Sequence, residues 1–89
     1  MAKGFVYILR SLKNGRFYIG STTDINKRLL RHESGNVRAT RNFLPVRLEL
    51  CQEFDNYTYA RKIEQRLKDF KRKDFIEKIV KEGIIKLGL

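Results

Sequence analysis

The chain has 89 residues, of which 42% are hydrophobic, and 20 Lys and Arg stand against 10 Asp and Glu for a net charge of +10. That length supports a single domain, residues 1–89 with its core at about 4–82, and one hydrophobic cluster. The strong positive field makes a polyanion, nucleic acid above all, the expected partner. A lone cysteine, Cys51, excludes a disulfide framework and a cysteine-based zinc site. The first apolar run, Phe5 to Leu9, is too short to span a bilayer or to serve as a secretory signal. A soluble cytoplasmic monomer with no membrane partner and no small-molecule cofactor is expected.

Residues 5 to 10 are almost continuously apolar, which suits a central strand covered on both faces. Lys13-Asn14-Gly15-Arg16 supplies a turn signal, and Arg16 to Ser21 reads as the returning strand of a hairpin. Thr23 or Asp24 caps a first helix over Ile25 to Glu33, with Gly35 as its stop. Asn36 to Leu44 carries Arg38 and Arg41 with no clear period and reads as a basic loop leading to Pro45. From Val46 the pattern alternates: Val46, Leu48 and Leu50 point one way, Arg47 and Glu49 the other, as in a half-buried edge strand. Cys51, at the end of this run, is expected in the core.

Asp55 or Asn56 caps a second helix whose Ala60, Ile63, Leu67 and Phe70 form an apolar stripe. A third helix is expected from about Asp74 to Glu82, with Phe75, Ile76, Ile79 and Val80 inward and Gly83 as its stop. The order β-β-α-β-α-α has no internal repeat or linker. It predicts an α+β fold, a three-stranded antiparallel sheet flanked by three helices with the first strand in the middle.

Tyr7 and Tyr18 lie eleven positions apart on the hairpin. A two-residue or four-residue connection puts them on the same side of the sheet, and a three-residue connection puts them on opposite sides. With four residues in the connection Tyr7 lies opposite Gly20, whose missing side chain leaves a hole between the phenols. On the first helix Arg28 and His32 share the packed stripe with Ile25 and Leu29 and can point at one ligand, a phosphate being the obvious one. Glu64 sits at the border of the second helix's buried stripe, where a carboxylate needs a cation: either a divalent metal, or Lys68 four residues on.

These residues resemble the GIY-YIG nuclease superfamily, specifically its small stand-alone bacterial members. Tyr18-Ile19-Gly20 matches literally, Phe5-Val6-Tyr7 keeps the tyrosine but not the glycine, and Arg28, His32, Ala60 and Glu64 follow at the family's spacing. The resemblance implies a metal-dependent DNA endonuclease that hydrolyses phosphodiesters, of the kind serving repair or recombination. It implies Tyr18 as general base with His32 as the rival, Tyr7 orienting water or phosphate, Arg28 stabilising negative charge, and Glu64 holding one Mg²⁺ or Mn²⁺. An unperturbed imidazole near pKa 6.5 suits neutral pH better than a phenol near 10, so Tyr18 needs help from metal and arginine.

Arg31, Arg38, Arg41, Lys68, Lys71 and Lys73 are the expected nucleic-acid contacts, with DNA favoured over RNA. The family's asparagine downstream of the glutamate has no counterpart, since none follows Asn56; Lys68, Lys71 or Lys73 stand in for part of its work. Two rival readings use the same sequence. One is a non-catalytic nucleic-acid-binding module that keeps the fold, and the other is a basic protein-interaction or ribosome-associated domain.

Overall fold

The apolar run near the N-terminus forms β1, Gly4–Ser11, in a computed structural model that describes residues 2–87. It returns as β2, Phe17–Thr22, and Ser11 N donates to Arg16 O at 2.8 Å, closing a four-residue connection at Asn14-Gly15. α1 spans Ile25–Glu33, and of the two possible caps it is Asp24 whose side chain accepts from Lys27 N. β3 is Val46–Phe54, α2 is Tyr57–Phe70 capped by Asn56, and α3 is Lys73–Glu82 ending at Gly83. The sheet is antiparallel in the order β2-β1-β3, so the strand that is apolar on both sides lies in the middle.

α2 and α3 cover one face. Val6, Ile8, Ile19 and Leu50 from the sheet join Ala60, Ile63, Leu67, Ile76, Ile79 and Ile85 in one buried cluster. Docking of α2 is close: a Cβ on Gly4 would lie 2.6 Å from Tyr57 Cα and 2.7 Å from Ala60 Cβ, so only glycine lets the helix sit at this depth. Past α3 the chain is pinned to β3, because Gln52 accepts from Ile85 N at 2.7 Å and donates to Ile85 O at 3.2 Å.

That is the one hydrophobic cluster expected; Tyr7 and Leu9, both fully buried, lie outside it on the opposite face of the sheet. α1 and the segment after it contact this second face.

Four expectations are corrected. Asn36 to Leu44 is not simply a loop, because Arg38–Phe43 forms a 3-10 helix; such short, tight turns leave no apolar period to read. β3 does not alternate strictly. Ile8 pairs with Leu50 but Leu9 with Leu48, a bulge that leaves Glu49 between them and puts Leu48 and Leu50 on opposite faces. Leu48 is therefore 40% exposed while Leu50 is buried. Cys51 is exposed rather than in the core, because it pairs with Tyr7 and so faces away from α2, on the strand at the sheet's edge. Phe70, expected in the α2 stripe, is exposed on one side and rests against Phe75, with ring centroids 4.4 Å apart.

Candidate active site

The four-residue connection decides which face the tyrosines share. Tyr7 pairs with Gly20 and Leu9 with Tyr18, so the two phenols are diagonal neighbours on the α1 face, with ring centroids 6.3 Å apart. Tyr7 lies over Gly20 so closely that a Cβ there would come within 2.5 Å of Tyr7 Cζ. His32, from the last turn of α1, sets its ring edgewise against both, 5.5 Å from Tyr7 and 5.2 Å from Tyr18 between centroids.

His32 is fully buried and both its nitrogens are engaged. Nε2 lies 2.8 Å from Tyr7 Oη, and Nδ1 lies 2.7 Å from Thr40 Oγ1. Thr40 donates its hydroxyl hydrogen to Val37 O at 3.4 Å, which leaves its oxygen to accept. A neutral imidazole has one donor and one acceptor, so Nδ1–H donates to Thr40 and Nε2 accepts the Tyr7 hydroxyl. Burial first, then the positive charges of Arg28 and Arg31, push the His32 pKa down to about 4, which keeps it neutral. The Tyr7 phenol is pushed well above its ordinary value by burial and by Tyr18, so it keeps its proton. The expectation that Arg28 and His32 grip one ligand together is corrected: His32 is committed to Tyr7 and Thr40. Arg28 is half-buried and forms no ion pair among the described residues.

Glu64 approaches from the α2 face. Its Oε1 accepts from Ser21 Oγ, and its Oε2 pairs with Lys68 Nζ at 2.5 Å. Ser21 pairs with Val6 and so faces α2, whereas its neighbour Gly20 faces the tyrosines; the acid thus reaches the site across β2, the strand at the sheet's edge. The parts remain within electrostatic reach of one another. Arg28 lowers and Glu64 raises the Tyr7 pKa, as does Tyr57 at the start of α2. A cleft of about 390 Å³ runs along α2 between Tyr57, Arg61, Lys62 and Glu64, and neither tyrosine of the hairpin lines it.

Of the expected nucleic-acid contacts, Arg31, Arg38 and Arg41 are exposed on the α1 side, and Lys68, Lys71 and Lys73 are exposed where α2 gives way to α3. Sequence reasoning missed Thr40, which lies in a segment without periodicity, and Tyr57, which stands two helical turns before Glu64 on the same side of α2 and was legible by that spacing. Among the described residues no three His, Cys, Asp or Glu side chains gather as a metal site, and no helix is long and apolar enough to cross a membrane. The donor set at Glu64 is a single carboxylate, which suits an ion that keeps much of its water and takes further oxygens from a phosphate.

The chain is similar to known proteins in both sequence and fold. Residues 3–79 match the family model for the GIY-YIG catalytic domain. The chain is 34% identical over 84 residues to a UPF0213 protein of Staphylococcus saprophyticus, covering 93% of this chain and 100% of that protein. It is 41% identical over 71 residues to a UPF0213 protein of Streptococcus pneumoniae, covering 79% and 71% respectively. The solution structure of a UPF0213 protein from Bacillus halodurans superimposes with a TM-score of 0.57 at 32% identity, over 91% of this chain and 86% of that one. With two tyrosines, arginine, histidine and glutamate at the family's spacing and the fold of a UPF0213 protein beneath them, this chain belongs to the GIY-YIG family.

Proposed function

We propose that the protein is a Mg²⁺- or Mn²⁺-dependent endonuclease that hydrolyses DNA phosphodiesters, with DNA repair or recombination as its setting. The observation that carries this reading is the contact of Tyr7, Tyr18 and His32 on one face, with Arg28 and Glu64 near enough to shift the acidity of the Tyr7 phenol in opposite directions. Tyr7 gives its hydroxyl hydrogen to His32 and is thereby held in place. Tyr18 is only half-buried and makes no side-chain hydrogen bond among the described residues, so its phenol is the one open to a reacting water. That favours Tyr18 over the fully buried His32 as general base.

In this reading Arg28 grips two non-bridging oxygens of the scissile phosphate and stabilises the charge that develops on them. Tyr18, acting as the general base, takes one proton from water while the water oxygen forms a bond to phosphorus. The bond from phosphorus to the leaving oxygen breaks, and that oxygen is protonated from solvent. Glu64 would hold the divalent ion once Lys68 swings away, and the ion would supply charge neutralisation and a more acidic water. Arg31, Arg38, Arg41, Lys68, Lys71 and Lys73 serve the nucleic-acid backbone.

Incubation of the purified protein with branched, nicked and single-stranded DNA tests this. Cleavage abolished by EDTA is expected, with Tyr18→Phe and Arg28→Ala each lowering the rate by about 10²-fold or more. No cleavage of any substrate in Mg²⁺ or Mn²⁺ overturns it. The existing Glu64–Lys68 pair favours the rival binding module, and DNA binding that survives Glu64→Ala without cleavage by the wild type is that module's signature.

A further inference from the structure

Where α2 ends, Lys71 and Arg72 turn the chain into α3, and this junction packs beside the β1–β2 hairpin to enclose a cleft of about 380 Å³. Arg16, Lys68, Lys71, Arg72 and Lys73 line it, and no carboxylate does. Lys68 and Arg72 are paired with Glu64 and Asp74, whereas Arg16, Lys71 and Lys73 form no ion pair among the described residues. Both walls contribute charge: Lys73 Nζ reaches to 3.8 Å from where a Cβ on Gly15 would stand in the hairpin connection. The floor includes the apolar Ile19 and Leu67, and such low-dielectric walls focus the field of the cations into the cleft. The neighbouring cleft along α3 differs, since Asp74 and Glu77 line it together with Arg10, Lys78 and Lys81.

The backbone supplies an independent observation. Lys71 ends α2 at φ 52 and ψ 33, and it is the one non-glycine residue with positive φ among the described residues. The same left-handed turn follows α1 at Gly35 and α3 at Gly83. Stopping a helix in this way is easiest for glycine, because a Cβ adds strain, so the helix stop alone does not account for a lysine. The side chain gained in exchange is one of the free cations in the cleft.

We propose that this cleft is a second phosphodiester-binding site, in which Lys71, Lys73 and Arg16 hold the nucleic-acid backbone away from the scissile phosphate. The inference rests on the nuclease reading and deepens it. Lys71 lies seven residues beyond Glu64 along α2, about 10 Å at 1.5 Å per residue. That separation places the phosphate held here on a neighbouring stretch of the backbone rather than at the cleaved bond. Lys68 joins the two places, since it pairs with Glu64 and also lines the cleft.

The test is fluorescence anisotropy with a labelled DNA duplex in EDTA, over about 50–200 mM salt, beside thermal melts. For Lys71→Gly the melting temperature is expected to stay unchanged or to rise by up to about 4 °C. The slope of log affinity against log salt is expected to become shallower by about 0.9, equally for duplexes of different sequence. Lys71→Arg restores the slope, the triple variant Arg16→Ala, Lys71→Gly, Lys73→Ala loses about 2.7 of it, and Lys86→Ala, beyond the far end of α3, leaves it alone. Wild-type binding with an unchanged slope for Lys71→Gly overturns the second site only. A lower melting temperature for Lys71→Gly, or an equal loss of slope for Lys86→Ala, overturns it too. Absence of any wild-type binding removes the nucleic-acid reading altogether.

Discussion

On the α2 side of the sheet, Val6, Ile8, Ile19 and Leu50 meet Ala60, Ile63 and Leu67 as a cluster of aliphatic side chains. On the α1 side, Tyr7 and Leu9 share their burial with His32, Thr40 and Ser11, whose polar atoms are satisfied one against another: Tyr7 to His32, His32 to Thr40, and Ser11 Oγ to Phe43 O at 2.6 Å. The first side is stabilised by transfer of apolar area out of water, which tolerates substitutions of similar volume. Hydrogen bonding with little slack holds the second, and removing one partner strands the other. Of the five candidate site residues, Tyr7, Tyr18, Arg28 and His32 belong to the second side, and Glu64 comes from the first.

The largest separation of the two sides should come from Leu67→Ala. Truncating this buried side chain is expected to cost about 2–5 kcal/mol in urea unfolding while leaving the Tyr7–His32 contact in place. A cost below 1 kcal/mol would remove the apolar side as the main source of stability.

Acid should strike the other side. The folded pKa of His32, about 4, lies below its unfolded value of 6.5, so the contribution to stability is complete above 6.5 and is lost as pH falls toward 4. The loss amounts to about 3 kcal/mol, read as a falling urea midpoint between pH 7 and pH 4. His32→Gln is expected to flatten the part of that fall above pH 5.

Thr40→Val comes next. It leaves the His32 Nδ1–H without an acceptor and is expected to cost about 1–3 kcal/mol. Because His32 is the only histidine, the ring nitrogen shifts in an NMR spectrum report which nitrogen bears the proton. Wild type should show Nδ1–H, Thr40→Ser should preserve it, and Thr40→Val should lose it. The smallest effect is expected from Glu64→Ala, about 1 kcal/mol or less in thermal melts, since Lys68, 42% exposed, keeps its water when the pair is lost. Unfolding by Glu64→Ala would make that acid structural.

The order of elements and the central place of β1 were legible because a run that is apolar at every position needs cover on both faces. The shared face of Tyr7 and Tyr18 was legible only once the connection length was known, since a change of one residue reverses every side chain that follows. Thr40 lay in a segment whose 3-10 turn has no period to detect. The β3 bulge at Glu49 was equally hidden, because an extra residue in a strand changes the pattern without announcing which residue is extra. Glu64 was read as needing a cation, and Lys68 supplies one; its bond to Ser21 depends on how deeply α2 is seated, which no local pattern carries.

That seating depends on Gly4. The residue has no functional group, yet the near-contact of its backbone with Tyr57 and Ala60 sets how far α2 sinks toward the hairpin. A methyl group there would lever the helix outward, withdraw Glu64 from Ser21 two turns along, and separate the carboxylate from the phenols while leaving all five reactive side chains intact. The spacing of the candidate site is thus written partly in an atom that is missing, and an inventory of functional groups would overlook it.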